Sequence, residues 1–186
     1  MRSLHTGFTL IETLVAVSLL VIAIAGPMSL AAQSLSSAFY ARDQMTAFHL
    51  AQEAVEAVRF VRDGNILANN AAGSPTTDLF AGIPDTTGRA FTVDIRYDDP
   101  SQSMKLCNGP CAPLSYDSST SLYGYGVGSN WQTTRFTRSV SVIAIAGSQD
   151  EFKVTSEVRW RSGAFQERTV IINENLYRWL PDSTSS

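Results

Sequence analysis

The apolar segment at residues 8–32 reads FTLIETLVAVSLLVIAIAGPMSLAA, and Glu12 is its only charged residue. A helix that spans a bilayer needs about 20 mostly apolar residues, so this segment is long enough to cross a membrane. The short polar leader MRSLHTG, residues 1–7, precedes it and carries one basic residue, Arg2. A basic flank before an apolar span favours a cytoplasmic N-terminus. The sequence therefore predicts a single membrane helix at the front of the chain.

Glu12 distinguishes between the possible roles of this segment. A carboxylate within a bilayer costs roughly 2.5–3.5 kcal/mol near the centre and less toward the interface, and neither a plain anchor nor a secretory signal gains from that cost. A cut between Gly7 and Phe8 would create an α-amino group four residues before Glu12. Residues four apart share a helix face, and the carboxylate could also meet the new amine of a neighbouring subunit. Such a pair removes the penalty of leaving either charge alone in lipid.

The hexapeptide Gly7-Phe8-Thr9-Leu10-Ile11-Glu12 resembles the cleavage and methylation motif of type IV prepilins and pseudopilins. The resemblance implies cleavage after Gly7 by a prepilin peptidase on the cytoplasmic side, followed by N-methylation of Phe8. It also implies that Glu12 fixes the register of subunits during filament assembly. Two other interpretations stay open. One is a plain anchor in which Glu12 snorkels to the interface, and the other is a secretory signal with Ala23-Ile24-Ala25 as its cleavage site.

The apolar run continues into an amphipathic helix. Gly26-Pro27 lies within the run, and because proline removes a backbone hydrogen bond and clashes with the preceding turn, we expect a kink there. From residue 33 to residue 63, apolar residues recur at helical spacings, which predicts a helix with one buried face. Gly64 is placed to cap its C-terminus. Residues 51–65, AQEAVEAVRFVRDGN, are similar to the end of the long helix in V-type minor pilins and I-type minor pseudopilins.

Residues 64–186 form the predicted head. Residues 64–89 lack periodicity and are rich in Gly, Asn, Ala, Pro and Thr, so we interpret them as a linking loop. Alternation of apolar and polar residues predicts strands at 90–97, 122–125, 136–145, 152–161 and 165–173. The remainder of residues 98–133 is expected to be irregular. Short turns join the last three strands, which predicts an antiparallel meander packed on the amphipathic helix. The predicted fold class is α+β, as the pilin resemblance implies.

The two cysteines lie close together in Cys107-Asn108-Gly109-Pro110-Cys111. Asn-Gly-Pro is strong turn chemistry, so the pair could close a small loop as a disulfide, which the compartment outside the membrane permits. Free thiols and a redox-active pair are the alternatives. Redox motifs usually have two residues between the cysteines, whereas this pair has three, and no βαβ pattern surrounds it. The disulfide is therefore the favoured interpretation.

The sequence contains none of the common motifs for catalysis, phosphate binding or metal binding. Its 14 Lys and Arg residues against 17 Asp and Glu residues do not form the basic stripe of a nucleic-acid binder. Asp98-Asp99 lacks the spaced oxygen ligands of a calcium loop, and Gly124-x-Gly126-x-Gly128 lacks the helix that phosphate binding uses. We expect no enzymatic activity, no cofactor, no metal and no nucleic-acid partner.

These observations predict a structural subunit, a minor pilin or pseudopilin, that assembles into a type IV pilus or a related filament such as that of type II secretion. The expected partners are a prepilin peptidase/methyltransferase, other pilin or pseudopilin subunits, the inner-membrane assembly machinery and, before assembly, membrane lipid. The expected location is a single pass of the inner membrane, with the head outside the cytoplasm and later on a filament at the cell surface. The alternative is a binding module, an adhesin or DNA-uptake pilin, whose head loops carry Tyr116, Tyr123, Tyr125 and Trp131.

Overall fold

The computed structural model describes residues 7, 9–73, 78–147, 151–161 and 167–177. The chain divides into two compact units, Met1–Arg42 and Asp43–Ser186. Within the described residues, a long helix, α1 (Leu10–Ala72), precedes a sheet of seven strands. Every strand pairing in that sheet is antiparallel. The predicted α+β fold class is confirmed.

In the first unit, every residue of α1 from Leu10 to Arg42 is exposed. Its large apolar residues are exposed as well: Leu10 is 83 % exposed and Ile22 is 69 % exposed. Removing apolar surface from water is favourable by about 25 cal/mol per Å². A continuous apolar surface of this extent therefore marks a region that lipid or another protein covers.

In the second unit, α1 extends to Ala72 and does not end at residue 63 as predicted. The predicted C-terminal cap at Gly64 is wrong, because a helical glycine costs only about 1 kcal/mol relative to alanine and the packing of the next turn outweighs that cost. Ile66 packs against the core, and the Asn65 amide donates to two carbonyls of the following loop at 3.0 and 2.9 Å. Gly73, with a φ of 69°, follows the last helical residue and takes the capping position.

The elements after α1 are β1 Phe91–Val93, α2 Pro100–Ser103, β2 Met104–Leu106, β3 Pro113–Asp117, β4 Leu122–Gly124, β5 Trp131–Ala144, β6 Glu151–Arg161 and β7 Glu167–Tyr177. β5 is the centre of the sheet, because it pairs with β6 along one edge and with β1 and β3 along the other. β7 continues the sheet beyond β6, β2 beyond β1, and β4 beyond β3. The predicted meander of the last three strands is confirmed.

Two predictions for the first half of the head are wrong. The strand expected at residues 90–97 ends at Val93, because the chain turns at Asp94, whose carboxylate accepts the backbone N–H of Arg96 at 3.3 Å. Residues 98–133 are not irregular, since they contain α2, β2 and β3 as well as β4, which confirms the strand predicted at 122–125. β7 begins at Glu167 among the described residues, and the start predicted at residue 165 lies outside them.

One face of the sheet packs on the second part of α1. The β6 residues predicted to share a face are all buried: Phe152, Val154, Ser156, Val158 and Trp160. Three alanines of α1 have no exposed surface: Ala47, Ala51 and Ala54. Because alanine side chains are small, they allow the helix backbone to approach the sheet closely. The opposite face of β6 carries half-buried and exposed polar residues, as expected for a sheet with one solvated face.

Arg138 of β5 connects the helix to the sheet. Its side chain is fully buried, yet it lies in the row of β5 residues that faces α1. The guanidinium donates to the Leu50 carbonyl at 2.8 Å and to the Glu53 carboxylate at 2.7 Å, both on α1. It also donates to the Val93 carbonyl at the end of β1. A buried charge is tolerated when it is paired and hydrogen-bonded, and here its three partners come from two elements, α1 and β1.

We predict that Arg138→Met lowers the free energy of unfolding by about 3 kcal/mol. That is the low end of the cost of breaking a buried ion pair, because Glu53 is 28 % exposed and retains access to water. Urea unfolding of the full-length chain in detergent, followed by tryptophan fluorescence, measures the change. Arg159→Met is the matched control, since its pair with Glu157 is on the surface and contributes at most about 1 kcal/mol. Equal losses in the two variants would contradict the role of Arg138.

Candidate functional site

The first turn of α1 is organised by Thr9. The backbone N–H of Glu12 donates to the Thr9 hydroxyl at 3.3 Å and to the Thr9 carbonyl at 3.1 Å, and that of Thr13 donates to the same carbonyl at 3.2 Å. Thr9 is therefore the N-cap of the helix, and Glu12 stands at the third helical position. This Thr-x-x-Glu spacing is that of a capping box. The spacing was visible in the sequence, but the sequence interpretation missed it.

Glu12 lies exposed in the first turn, between strongly apolar neighbours. Ile11 is 72 % exposed and Leu14 is 61 % exposed. The positive end of the helix dipole stabilises an ionised carboxylate at this position. Glu12 nevertheless remains a full charge on an apolar surface. Gly7 is exposed, and the position of a Cβ on it has no atom within 4 Å. Phe8, the other residue of the predicted cleavage site, lies outside the described residues.

The hydroxyl groups of the apolar segment bond within the helix. Thr13 Oγ1 donates to the Leu10 carbonyl and Ser18 Oγ to the Leu14 carbonyl, both at 2.8 Å. Such bonds to a carbonyl one turn earlier satisfy the hydroxyls without water. The apolar part of α1 is unburied, and by length and composition this helix is able to cross a membrane. It fits a single-pass anchor of the kind typical of pilins.

Pro27 lies inside α1, and the helix is assigned without interruption from Leu10 to Ala72. Gly26 precedes it, with nothing within 4 Å of a Cβ placed there. The kink expected at Gly26-Pro27 stays a prediction.

A disulfide joins Cys107 and Cys111, with 5.0 Å between their Cα atoms. The loop it closes lies between β2 and β3 and turns at Gly109, which has a φ of 92°. The backbone N–H of Cys107 donates to the Ala90 carbonyl at 3.0 Å, which ties the loop to the start of β1. In this structure the two cysteines close a surface loop of the head.

Gly124, at the end of β4, and Gly126, just after it, lie where neighbouring side chains pack closely against the backbone. The carboxylate of Asp94, which is 5 % exposed, accepts Arg96 Nε at 2.8 Å and the backbone N–H of Tyr125 at 3.0 Å. The Arg96 guanidinium in turn stacks 4.4 Å from the ring centre of Trp131. A Cβ on Gly126 would lie 2.2 Å from the Trp131 ring. Glycine is therefore needed at position 126 for steric reasons.

The aromatic residues of the head loops are half-buried. The rings of Tyr116 and Tyr123 are 5.2 Å apart, and Tyr123 meets the core residue Phe136 edge-on at 6.4 Å. Burial raises the pKa of the Tyr125 hydroxyl. Tyr123 and Tyr125 pack against the core, and the adhesive role considered for these aromatic residues stays a prediction.

The paired aspartates after β1 have separate roles. The Asp99 carboxylate caps α2 by accepting the backbone N–H of Ser101 at 2.9 Å and its hydroxyl at 2.8 Å. Asp98 is exposed. Among the residues that the structure describes, no group of three His, Cys, Asp or Glu side chains could hold a metal ion.

Comparison with known proteins finds a family motif at the N-terminal end of the chain. Residues 2–26 match the family model of the prokaryotic N-terminal methylation motif, which is characteristic of type IV pilins and pseudopilins. The motif implies processing by a prepilin peptidase and assembly with other pilin subunits. No curated protein and no solved structure matches the chain. The match thus concerns the segment that contains Gly7, Phe8 and Glu12, and it does not extend to the head.

Asp94 makes the stability of the head sensitive to acid. Burial raises the pKa of its carboxyl, but the hydrogen bonds from Arg96 and from the Tyr125 N–H outweigh burial, so the net pKa lies below its ordinary value. A carboxyl whose pKa is lower in the folded state contributes stability above its unfolded pKa and loses it as the pH falls through the folded value.

We therefore predict that Asp94→Asn destabilises the chain at pH 7 by about 1.5–3 kcal/mol, the range for hydrogen bonds to charged groups. The difference from the wild type should shrink below about pH 4, as the native carboxyl also becomes neutral. Urea midpoints measured from pH 7 down to pH 2 test this. A difference that stays constant over that range would show that the Asp94 charge contributes nothing.

Proposed function

We propose that this chain is a structural subunit, a minor pilin or pseudopilin, of a type IV pilus or related filament. The observation that carries the proposal is the position of Glu12. This carboxylate lies four residues after Phe8, inside the processing motif, on a helix surface that is otherwise apolar and exposed. A charge placed there is expensive in lipid unless it has a partner.

Processing would supply that partner. Hydrolysis of the Gly7–Phe8 peptide bond consumes one water molecule, releases the leader with a new carboxylate and leaves an ammonium group on Phe8. In the methylation step the neutral amine attacks the methyl carbon of an electrophilic methyl donor, the donor leaves with the electrons of the broken bond, and the N-methyl amine stays basic. The ammonium of one subunit and the Glu12 carboxylate of its neighbour would then form an ion pair away from water. Such pairs are worth most where neither charge can be solvated alone.

The apolar helix surface would make assembly possible without exposure to water. In the membrane, residues 10–32 contact lipid, and in the filament the same side chains contact the helices of other subunits. The two environments are similarly apolar, so the transfer depends on packing and on polar pairs such as Glu12. The head would lie outside the cytoplasm, where a disulfide between Cys107 and Cys111 is stable.

The choice of a minor subunit rests on residues 51–65 and their resemblance to minor pilins and pseudopilins. In the structure, part of that resemblance has a packing reason. Ala51, Ala54, Val55 and Val58 are buried against the sheet, and Arg59 bonds to Glu174 of β7. A sequence of this kind is therefore suited to holding a head on the helix.

A second candidate is a binding module carried by the filament. It is supported by a groove of about 660 Å³ on the outer face of the sheet, beside the Cys107–Cys111 loop. The groove is lined by hydroxyl and charged side chains, among them Ser139, Ser141, Thr155 and Arg159. A nucleic-acid ligand is disfavoured, because five arginines of the head lie near carboxylates: Arg96, Arg135, Arg138, Arg159 and Arg161.

The role of Glu12 can be separated from its place in the capping box. Glutamine completes a capping box as well as glutamate does, but it carries no charge. We predict that Glu12→Gln leaves leader removal intact and lowers incorporation into filaments roughly ten- to hundredfold, because the neighbour's ammonium is left unpaired. Immunoblots of sheared filaments and of membranes, in a host with the prepilin peptidase, measure both steps.

Thr9→Ala is the matched control, since it removes the capping hydroxyl and keeps the carboxylate. It should reduce incorporation far less than Glu12→Gln. If Glu12→Gln entered filaments at the wild-type level, the charge pairing would be refuted. If only Thr9→Ala failed to enter filaments, the first turn would act through its helix cap and not through the Glu12 charge.

A further inference from the structure

A row of hydroxyl groups lies on the floor of the 660 Å³ groove on the outer face of the sheet. Thr137, Ser139 and Ser141 of β5 line the groove. They share one face of the strand, because the residues between them, Arg138 and Val140, are buried on the other face. A strand rises about 3.3 Å per residue, so the row is about 13 Å long. A straight row of this length suits an extended ligand with several polar groups.

β6 adds a second polar row to the floor of the groove. The register of the two strands places one polar side chain of β6 opposite each hydroxyl of β5: Arg159 opposite Thr137, Glu157 opposite Ser139, and Thr155 opposite Ser141. Directly opposed side chains have Cβ atoms about 4.5–5.5 Å apart. A guanidinium only donates hydrogen bonds, a carboxylate only accepts them, and a hydroxyl does both. The floor therefore presents donors and acceptors side by side along its length.

The loop closed by the disulfide forms one wall of the groove. Gly109, Pro110 and Cys111 line this side. The backbone N–H of Cys107 donates to the Ala90 carbonyl at 3.0 Å, which attaches the loop to the chain before β1. A disulfide between cysteines four positions apart restricts the conformations of this loop. The groove thus has a wall that is covalently braced beside a floor that belongs to the central strands.

The charges of the groove cancel. Its charged side chains form ion pairs within 4 Å: Arg159 with Glu157 and Glu167, Arg161 with Glu167, and Arg135 with Asp43. Three cations thus balance three carboxylates, so neither a polyanion nor a polycation meets an excess of opposite charge. Val140 and Trp160 also border the groove but are themselves buried. An apolar ligand therefore covers little apolar surface by entering it.

A neutral ligand rich in hydroxyl groups matches these properties. Each hydroxyl of a sugar both donates and accepts hydrogen bonds, as the mixed floor requires, and the C–H face of a sugar ring can pack on Pro110. We propose that the groove binds an extended, neutral glycan, with its sugar rings laid along β5. The proposal rests on the second candidate function, whose ligand it names, and not on filament assembly.

Titration with soluble tetrasaccharides tests the proposal. The full-length chain is kept in lauryldimethylamine oxide, because detergents with sugar head groups would compete for the groove. Cellotetraose and chitotetraose are the extended neutral probes, and tetragalacturonate is the anionic comparison. We expect a neutral probe to cause saturable shifts of the backbone amide NMR signals of Thr137, Ser139 and Ser141. Tetragalacturonate should bind about tenfold more weakly, because its carboxylates lose hydration without meeting an excess of positive charge.

Removal of hydroxyl groups from the floor tests the site itself. Thr137→Val combined with Ser139→Ala deletes two hydroxyls and enlarges neither side chain. This double variant should bind the neutral probe about tenfold more weakly, because each lost hydrogen bond lowers the affinity several-fold. Thr133→Val is the matched control, since Thr133 is exposed on β5 and does not line the groove. It should bind as the wild type does.

Three results would each overturn the glycan site. They are saturable binding of neither neutral probe, binding of tetragalacturonate as tight as that of the neutral probes, and an unchanged affinity of the double variant. Because binding is measured on chains outside filaments, each of these results leaves the role as a filament subunit standing. Absence of the wild-type chain from sheared filaments would overturn that role and leave the glycan site standing.

Discussion

Glu12 carries the only charge on the apolar surface of α1 between residues 10 and 32. Exposure of that apolar surface to water is unfavourable. From Leu10 to Ala32 all residues of α1 are exposed and, apart from Glu12, none is charged. Lipid covers such a surface in a membrane, and other apolar helices cover it in an assembly, but neither solvates a carboxylate. If the chain is cut after Gly7, as the motif implies, the new α-amine lies four residues before Glu12, and in the proposed filament the amine of a neighbouring subunit pairs with this carboxylate. The proposed function depends on this ion pair, which can form only after the leader has been removed.

The head depends on a second charge placed away from water. Arg138 is fully buried, and its guanidinium reaches α1 and the end of β1 at once. Glu53 on α1 neutralises it from a position 85 residues earlier in the chain. Three alanines of α1, Ala47, Ala51 and Ala54, are fully buried in the same part of the helix. The part of α1 in the first unit thus has an exposed apolar surface, whereas the part in the second unit packs on the sheet.

The sequence predicts the parts of this structure that repeat a simple pattern. The apolar segment and the alternation of β5, β6 and β7 were recognisable because each pattern extends over ten residues or more. The end of α1 was not, because the cost of Gly64 is smaller than the gain from packing Ile66 and bonding Asn65. β2, β3 and β4 have three to five residues each, and their pairing partners determine them more than their own alternation does. In the candidate site, Gly7, Phe8 and Glu12 were identified by their motif, whereas Thr9 as a cap and Glu53 as the partner of Arg138 depend on geometry.

The mass of the mature chain tests the central claim most directly. The protein is purified from a host that has a prepilin peptidase, and its N-terminal peptide is analysed by mass spectrometry. The account predicts a chain that begins at Phe8 and carries one methyl group on its α-amine. A mature chain that begins at Met1, as a plain anchor would, or at Gly26, as a secretory signal cut after Ala25 would leave it, contradicts the account.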